Sequence, residues 1–279
     1  MSDLIQAIIK TRKDTADIFT KSLKDIDGLS EVEICDKILF EVKDCKEMFP
    51  KGWYDPPEKG VAVLLDQKPF KRLEFNSLRN PVFWPKKDFR FDKETVGIIY
   101  FSPVERKTNM IGDIGFTLYK GEDDRIKKHI KESYIAILRI AEHATVGMKF
   151  SELSAFASNL LKDKLRITEW KTTNSDSTKM NFGHSIPGSF ESNFVFGNTF
   201  EEIKDNIRTK RLYVNEIEDF EIPKTCAFTV ESRLKDRDDD SFPNTFFHFI
   251  VCFDDGRKMI LNNFGEIFKN VGMDYMNTI

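Results

Sequence analysis

The feature that most constrains the fold of this chain is an order of elements that occurs twice. A helical hydrophobic period starts at residue 3 and is followed by a second helix and then by strands. The same order starts again at residue 122, where apolar residues recur at three- and four-residue steps to residue 144. No linker rich in Pro, Gly or Ser lies near residue 120. The pattern therefore predicts one domain of residues 1–279, built from half-repeats of about 1–120 and 121–279 that share one sheet and one core.

Local signals support an α/β fold. Ser30 with Glu33 forms a capping-box pattern, which predicts the start of the second helix. The unbroken apolar run of residues 96–101 is typical of a strand that is buried on both faces. Residues 254–256, Asp-Asp-Gly, predict a hairpin turn between strands at 245–253 and 257–261.

Composition narrows the classes of function. The chain has 43 Lys and Arg against 46 Asp and Glu, a formal charge of -3, so we expect no nucleic-acid partner. The short basic run at residues 208–211 is expected to be a solvated loop. We find no signal-peptide pattern and no apolar run of ~18 residues, which predicts a cytoplasmic chain that does not enter a membrane. The cysteines are expected to be reduced thiols because their spacing fits no metal site: Cys35, Cys45, Cys226 and Cys252.

Short motifs in a fixed order resemble the M24 peptidase family, which includes methionine aminopeptidase, Xaa-Pro peptidases and creatinase-like enzymes. The motifs are Gly-Asp-Ile-Gly-Phe-Thr-Leu-Tyr-Lys-Gly at 112–121, Gly-His-Ser-Ile-Pro-Gly at 183–188, Ala-Phe-Thr-Val-Glu at 227–231, and His-Phe-Ile-Val-Cys-Phe-Asp-Asp-Gly at 248–256. They span nearly the whole chain. The resemblance implies a pita-bread fold, an α/β (α+β) architecture of two pseudo-symmetric helix-helix-strands halves that share a curved, mostly antiparallel sheet.

The resemblance also implies a metal site. The family holds two divalent metals ~3.5–4 Å apart, which need several negative ligands to offset their repulsion. Asp113, His184 and Glu231 match metal-ligand positions of the family, and His184 and Glu231 are also the candidate catalytic residues. Ser102 stands where the first aspartate is expected, and Phe247 stands where the bridging glutamate is expected. Because neither residue replaces a carboxylate, we expect no dinuclear site. The sequence favours no metal cofactor, and at most one divalent metal ion.

Two further residues are candidates for the pocket. Glu191 falls where the family has a second active-site histidine, and His248 begins the final strand motif. A structural interpretation stays open for every candidate. Asp113 fits a turn, His184 a hydrogen-bonded loop and Glu231 a solvent-facing strand position. Glu191 fits an ordinary surface position and His248 fits a core position among phenylalanines.

Three hypotheses about function follow. The first is a pseudoenzyme that binds a peptide or a protein. The second is a hydrolase of a C–N or peptide bond that uses one metal or none, with His184 as general acid–base and a peptide or a small amide or guanidino ligand in the central pocket. The third is a two-metal peptidase in which Asp240 or Asp254 supplies a missing carboxylate. The sequence leaves open a homodimer, and it leaves open whether phenylalanines at 242–249 fill the pocket.

Overall fold

The computed structural model of this chain describes residues 1–55, 57–167, 176, 178, 180–191 and 193–278. Its α-helices are α1 (Asp3–Ser22), α2 (Glu31–Asp44), α3 (Asp124–His143), α4 (Phe150–Leu161), α5 (Phe200–Thr209) and α6 (Gly265–Asn270). Its strands are β1 (Met48–Gly52), β2 (Val61–Asp66), β3 (Thr95–Phe101), β4 (Pro103–Glu105), β5 (Ile114–Lys120), β6 (Leu165–Ile167), β7 (Cys226–Asp236), β8 (Thr245–Asp254) and β9 (Arg257–Leu261).

Antiparallel pairing organises the described strands within each half of the chain. In the first half β3 lies between β2 and β5, and β1 pairs separately with β4. In the second half the order is β6-β7-β8-β9. The predicted α/β fold with antiparallel sheets is therefore confirmed, and each half begins with two helices, α1 and α2 or α3 and α4.

The two larger sheets adjoin along β5 and β8 through a side chain. The Thr117 Oγ1 accepts a hydrogen bond from the Phe246 N–H at 2.7 Å and donates to the Phe246 carbonyl at 3.1 Å. Gly115 allows this close approach, because a Cβ there would lie 2.1 Å from Cε1 of the Phe246 ring. The Thr117 hydroxyl thus connects the two halves of the chain at the junction between β5 and β8.

Helices cover one face of these sheets. α2 packs on β2, α3 packs on β7 and β8, and α1 lies against β5 and β8. The buried apolar side chains form one core that both halves contribute to. The cysteines are free thiols. In the described part of the chain, no helix has the length and apolar character needed to cross a bilayer.

The local sequence signals are confirmed at their positions. The Ser30 Oγ accepts from the Glu33 N–H, and the Glu33 carboxylate accepts from the Ser30 N–H at 2.7 Å. Every residue of β3 is buried. Asp255 and Gly256 have φ values of 48° and 81°, which are the positive angles that a tight hairpin turn between β8 and β9 requires.

Candidate metal centre and cavity

Four side chains from separate parts of the chain meet in the interior. Asp113 directly precedes β5, His184 lies in the segment 180–191, and Glu231 and His248 lie on β7 and β8. The His184 Nε2 is 3.4 Å from the Asp113 Oδ2 and 3.4 Å from the Glu231 Oε1. The His248 Nε2 is 3.7 Å from the Asp113 Oδ2, and its Nδ1 is 3.1 Å from the Glu231 Oε2. The structure therefore brings the three motif residues together and adds His248.

The register of β7 and β8 decides which residue of β8 faces the cluster. Glu231 pairs directly with His248, and their side chains lie on the same face of the sheet. Phe247 pairs with Ser232 and projects to the opposite face, where its ring contacts Tyr134 of α3 at a centroid distance of 5.2 Å. The placement of Phe247 at a metal-ligand position is thus corrected by one residue, because side chains alternate along a strand.

His184 is held against β7 by its backbone. Its N–H donates to the Thr229 Oγ1 at 2.9 Å, and its carbonyl accepts from the Thr229 N–H at 2.7 Å. Gly183 has a φ of 133°, and a Cβ there would lie 2.0 Å from the Thr229 carbonyl oxygen, so the approach requires glycine. The His184 Nδ1 lies 3.0 Å from the Ser185 carbonyl, which only accepts. Nδ1 therefore carries the proton of the neutral ring, and Nε2 presents its lone pair to the cluster.

Asp113 is fixed from two sides. The Tyr100 hydroxyl donates to its Oδ1 at 2.7 Å. The guanidinium of Arg12, which is fully buried in α1, donates to the Asp113 carbonyl. The same guanidinium donates to the His248 carbonyl at 2.7 Å and to the Asn262 carbonyl at 3.2 Å. One arginine therefore holds the main chain of two residues whose side chains form the cluster.

Burial controls the charges of the cluster. It lowers the pKa of His248 to about 3 and also lowers the pKa of His184, so both imidazoles are neutral. Burial raises the pKa of Glu231 to about 8, and the negative charge of Asp113 adds to this effect. Burial alone would raise the pKa of Asp113, but its interactions with His248, His184 and Tyr100 outweigh that cost and hold it below its usual range.

The donor set fits a single metal ion. Asp113, His184 and His248 each offer one ligand atom, and these atoms lie within 4.8 Å of one another. Within the described residues, the buried Asp113 Oδ2 and His248 Nε2 have no hydrogen-bond partner. The Asp113 Oδ2 lies 3.4 Å from the His184 Nε2 and 3.7 Å from the His248 Nε2, so these atoms could be ligands of one ion.

A hydrogen-bonded serine stands where the family has its first metal-binding aspartate. Ser102 is fully buried, and its Oγ accepts a hydrogen bond from the Trp53 Nε1 at 2.7 Å. The carboxylates considered as substitutes lie elsewhere: Asp240 pairs with Lys235 at 2.8 Å, and Asp254 accepts from the Ser2 N–H at 2.8 Å. The hypothesis that Asp240 or Asp254 completes a two-metal site is therefore wrong.

A cavity opens above the cluster. Its enclosed volume is about 40 Å³, which is room for a few water molecules, and its lining includes both His184 and Glu231. The other lining residues are mostly aromatic or apolar: Tyr54, Leu78, Tyr100, Asn181, Arg211, Tyr213 and Phe246. Glu191 is not among them, since it accepts a hydrogen bond from the Gly188 N–H at 2.9 Å in its own loop. The expectation that Glu191 lines the pocket is therefore corrected.

Sequence reasoning missed the residues that support the cluster. Arg12, Tyr100 and Arg211 belong to no motif, and the run 208–211 is not wholly the solvated loop that we predicted. Arg208 is half-buried and pairs with Asp205 on α5, whereas Arg211 is only 9% exposed and lines the cavity. Tyr213 pairs with His184. Arg211 lies two positions before Tyr213, so only the tertiary fold shows that it is close to the cluster.

The structure resembles solved structures of peptidases at low sequence identity. An X-Pro aminopeptidase from Thermotoga maritima matches with a TM-score of 0.62 and 14% identity, over 92% of this chain and 60% of that chain. A prolidase from Pyrococcus horikoshii matches with a TM-score of 0.63 and 14% identity, over 94% of this chain and 62% of that chain. A methionine aminopeptidase from Thermotoga maritima matches with a TM-score of 0.64 and 12% identity, over 94% of this chain and 97% of that chain.

This chain thus spans about three fifths of the aminopeptidase and prolidase chains and nearly all of the methionine aminopeptidase chain. No protein-family model matches the sequence. No curated protein matches it. At these identities the comparisons establish the fold, and the prediction of the pita-bread fold is confirmed.

Proposed function

We propose that this chain is a hydrolase that cleaves an amide-type C–N bond with the help of one divalent metal ion. The observation that carries the proposal is the convergence of Asp113, His184 and His248 beneath an open cavity, with buried ligand atoms that lack partners. The structural neighbours are named as aminopeptidases and prolidases, and the reaction class is carried over from those names. A peptide or another small amide is the proposed substrate.

Asp113, His184 and His248 would hold the metal. A carboxylate and two neutral imidazoles suit a borderline divalent ion, and the Glu231 carboxyl beside the His248 Nδ1 favours the tautomer with a free Nε2 lone pair. When bound, such an ion would supply Lewis-acid polarisation of the substrate carbonyl. The hydrogen bond between Ser102 and Trp53 supports one metal rather than two.

Glu231 has the position of the proton-transfer group. It lines the cavity, whereas the Asp113 carboxylate and the His248 ring are fully buried beneath it. In its ionised form, which predominates above pH about 8, the carboxylate can accept a proton from an attacking water and return that proton to the leaving amine. Tyr100 and Arg12 keep Asp113 in place during these steps, and the aromatic walls limit the access of bulk water.

The cavity also supports catalysis over a purely structural or binding role. Of the phenylalanines on β8, Phe247 and Phe249 project toward α3, and Phe246 lines the wall of the cavity. A pseudoenzyme that binds peptides, with no turnover, is the competing hypothesis. The cytoplasmic location, a protein partner and a homodimer stay predictions.

A turnover assay tests the proposal. Purified chain, supplied in turn with Mn²⁺, Co²⁺ or Zn²⁺, is incubated with dipeptides, N-acyl amino acids and small guanidino compounds. We expect hydrolysis of at least one class, and we expect Glu231→Gln to retain the metal but lose about 10²–10⁴-fold in rate. The matched control is Glu191→Gln, which removes a loop carboxylate outside the cavity and should keep full activity.

Two results would overturn the proposal. Absence of turnover with every metal and every substrate class would favour the peptide-binding pseudoenzyme. Equal rates for wild type and Glu231→Gln would remove Glu231 from the chemistry and with it the proposed mechanism.

A further inference from the structure

A buried carboxylate near the cavity plays no part in the cluster described above. Asp176 is only 6% exposed, and its Oδ1 accepts hydrogen bonds from the Thr178 N–H at 3.0 Å and from the Asn215 Nδ2 at 3.1 Å. Its Oδ2 accepts from the Asn181 Nδ2 at 2.5 Å. Hydrogen bonds to a carboxylate are stronger than those between neutral groups, so Asp176 holds these side chains in fixed positions.

Asn181 is the donor of this group that lines the cavity. Its side-chain amide is fixed at both ends, because Nδ2 donates to Asp176 and Oδ1 accepts from the Gly183 N–H at 3.3 Å. A carboxylate only accepts and a backbone N–H only donates, so the two contacts agree on which end of the amide is nitrogen. The Nδ2 carries a second N–H, for which the described residues offer no acceptor.

We propose that Asn181 donates this second N–H to the carbonyl oxygen of the amide ligand, and that Asp176 is the residue that positions Asn181. The placement of Asn181 supports this role. It lies three residues before His184, and this segment is joined to β7 by a 3.0 Å hydrogen bond from the Glu231 N–H to the Phe182 carbonyl. The same stretch of backbone therefore carries the donor and one histidine of the cluster, and it is bonded to the strand that carries Glu231.

A fixed donor at this place suits the chemistry of an amide ligand. The enclosed space is about 40 Å³, so only a small end of a ligand enters it. Hydrolysis of a C–N bond places negative charge on the carbonyl oxygen, and a donor that is oriented beforehand stabilises that charge. Asn181 would contact the ligand, whereas Asp176 would act only through Asn181.

Asn215 supplies a matched control. It is the same residue type and donates to the same carboxylate, but its Oδ1 accepts from the Ile217 N–H at 3.1 Å and it does not line the cavity. Replacement of Asn215 therefore disturbs the surroundings of Asp176 without removing a donor from the cavity.

The infrared band of a labelled probe tests this inference, which rests on the proposed function in taking an amide as the ligand. Metal-free protein, kept in chelator so that the probe is not consumed, binds N-acetylglycinamide with ¹³C in the acetyl carbonyl. We expect the bound carbonyl to absorb at lower wavenumber in wild type than in Asn181→Leu, because a hydrogen bond weakens the C=O bond. The affinity of Asn181→Leu should be about 2–10-fold lower, the value of one net hydrogen bond. Asp176→Asn should lose part of the band shift, and Asn215→Leu should keep all of it.

A second measurement needs no variant. In protein labelled with ¹⁵N-asparagine, the side-chain amide proton of Asn181 should shift downfield on saturation with the probe, and that of Asn215 should not. The same band in wild type and Asn181→Leu, an unshifted Asn181 proton, or no binding of the probe would overturn the inference. A shifted band without turnover in the hydrolysis assay would refute the proposed hydrolase and leave the donor role standing, and turnover with an unshifted band would do the reverse.

Discussion

At the scale of single residues, two neighbours on β8 have opposite roles. The Phe247 ring packs against Tyr134 on the helical side of the sheet, and the His248 ring lies within 3.7 Å of Asp113 on the cavity side. Both side chains are fully buried, so burial does not distinguish them. The two residues differ in the face of the strand from which they project. Phe247 is therefore part of the core, and His248 is part of the cluster.

Substitutions at these two neighbours test the assignment of ligands. His248→Ala removes one of three ligand atoms, so we expect affinity for Zn²⁺ or Co²⁺ to fall by at least about 10–100-fold, the loss that even an outer partner of a metal site causes. Phe247→Leu keeps an apolar side chain in the core and should leave the affinity unchanged. Calorimetric titration of both variants measures the difference, and an unchanged affinity in His248→Ala would exclude His248 as a ligand.

Part of the candidate site could be predicted from the sequence. Asp113, His184 and Glu231 each sit in a motif, and the structure brings them together. The resemblance placed the final ligand position at Phe247, because a motif without an alignment leaves the register of a strand open by one residue. Tyr100, Arg12 and Arg211 could not be predicted, since each reaches the cluster or the cavity only through the tertiary fold.

At the scale of elements, α1 supports the cluster from behind. Arg12 on this helix is fully buried, and burial lowers its pKa to about 9, so it stays a cation at neutral pH. Its hydrogen bonds to the carbonyls of Asp113, His248 and Asn262 join α1 to the start of β5, to β8 and to the segment after β9. The helix therefore helps to fix the separation between two of the proposed ligands.

Removal of this arginine should affect both stability and the site. Arg12→Met leaves buried carbonyls without donors, and we expect the free energy of unfolding to fall by about 2–4 kcal/mol and metal affinity to weaken. Lys13→Met is the control, because Lys13 is exposed on the same helix and its replacement should change stability by less than about 0.5 kcal/mol. Urea unfolding compares the two, and equal stabilities would contradict the role given to Arg12.

The elements that the sequence predicted best are those that depend on local chemistry. The capping box of α2 and the Asp-Gly turn between β8 and β9 each use contacts within four residues. Strand β5 begins only at Ile114, after Asn109 takes a positive φ and the chain turns. Boundaries of this kind depend on how the chain enters the sheet.

At the scale of the whole molecule, the two halves meet at β5 and β8. Two residues of the cluster lie near this junction: Asp113 directly before β5, and His248 on β8. Thr117 bridges the junction through its hydroxyl, and Phe246 packs against Gly115 beside it. The cluster therefore needs both halves of the chain, because Asp113 comes from the first half and His248 from the second.

Loss of the bridging hydroxyl should loosen the junction. Thr117→Val keeps the shape of the side chain but leaves the N–H and carbonyl of Phe246 without this partner, and we expect a loss of about 2 kcal/mol in the free energy of unfolding. Thr245→Val is a matched control on β8, because its hydroxyl makes only a 3.5 Å contact with the Leu234 carbonyl. Thermal and urea unfolding should show the larger loss for Thr117→Val, and the reverse order would contradict this description of the junction.

The doubled order of helices and strands predicted the architecture because each half must bury the apolar faces of its own helices against strands. The joining of the halves through Thr117 carried no signal in the sequence, since a threonine in a strand is common for its β propensity alone. The sequence predicted that Ser102 replaces a metal-binding carboxylate. The hydrogen bond between Ser102 and Trp53 could not be predicted, because it depends on the fold.

We propose that this chain binds one divalent metal ion and no more. Stripped of metal with chelator and then titrated with Zn²⁺ or Co²⁺, the protein should bind one equivalent per chain tightly, as measured by elemental mass spectrometry after removal of free ion. Asp113, His184 and His248 would supply the ligands for that equivalent, and the Ser102 hydroxyl bonded to Trp53 would supply no carboxylate for a second. Two tightly bound equivalents per chain, or none, would contradict a site for one metal.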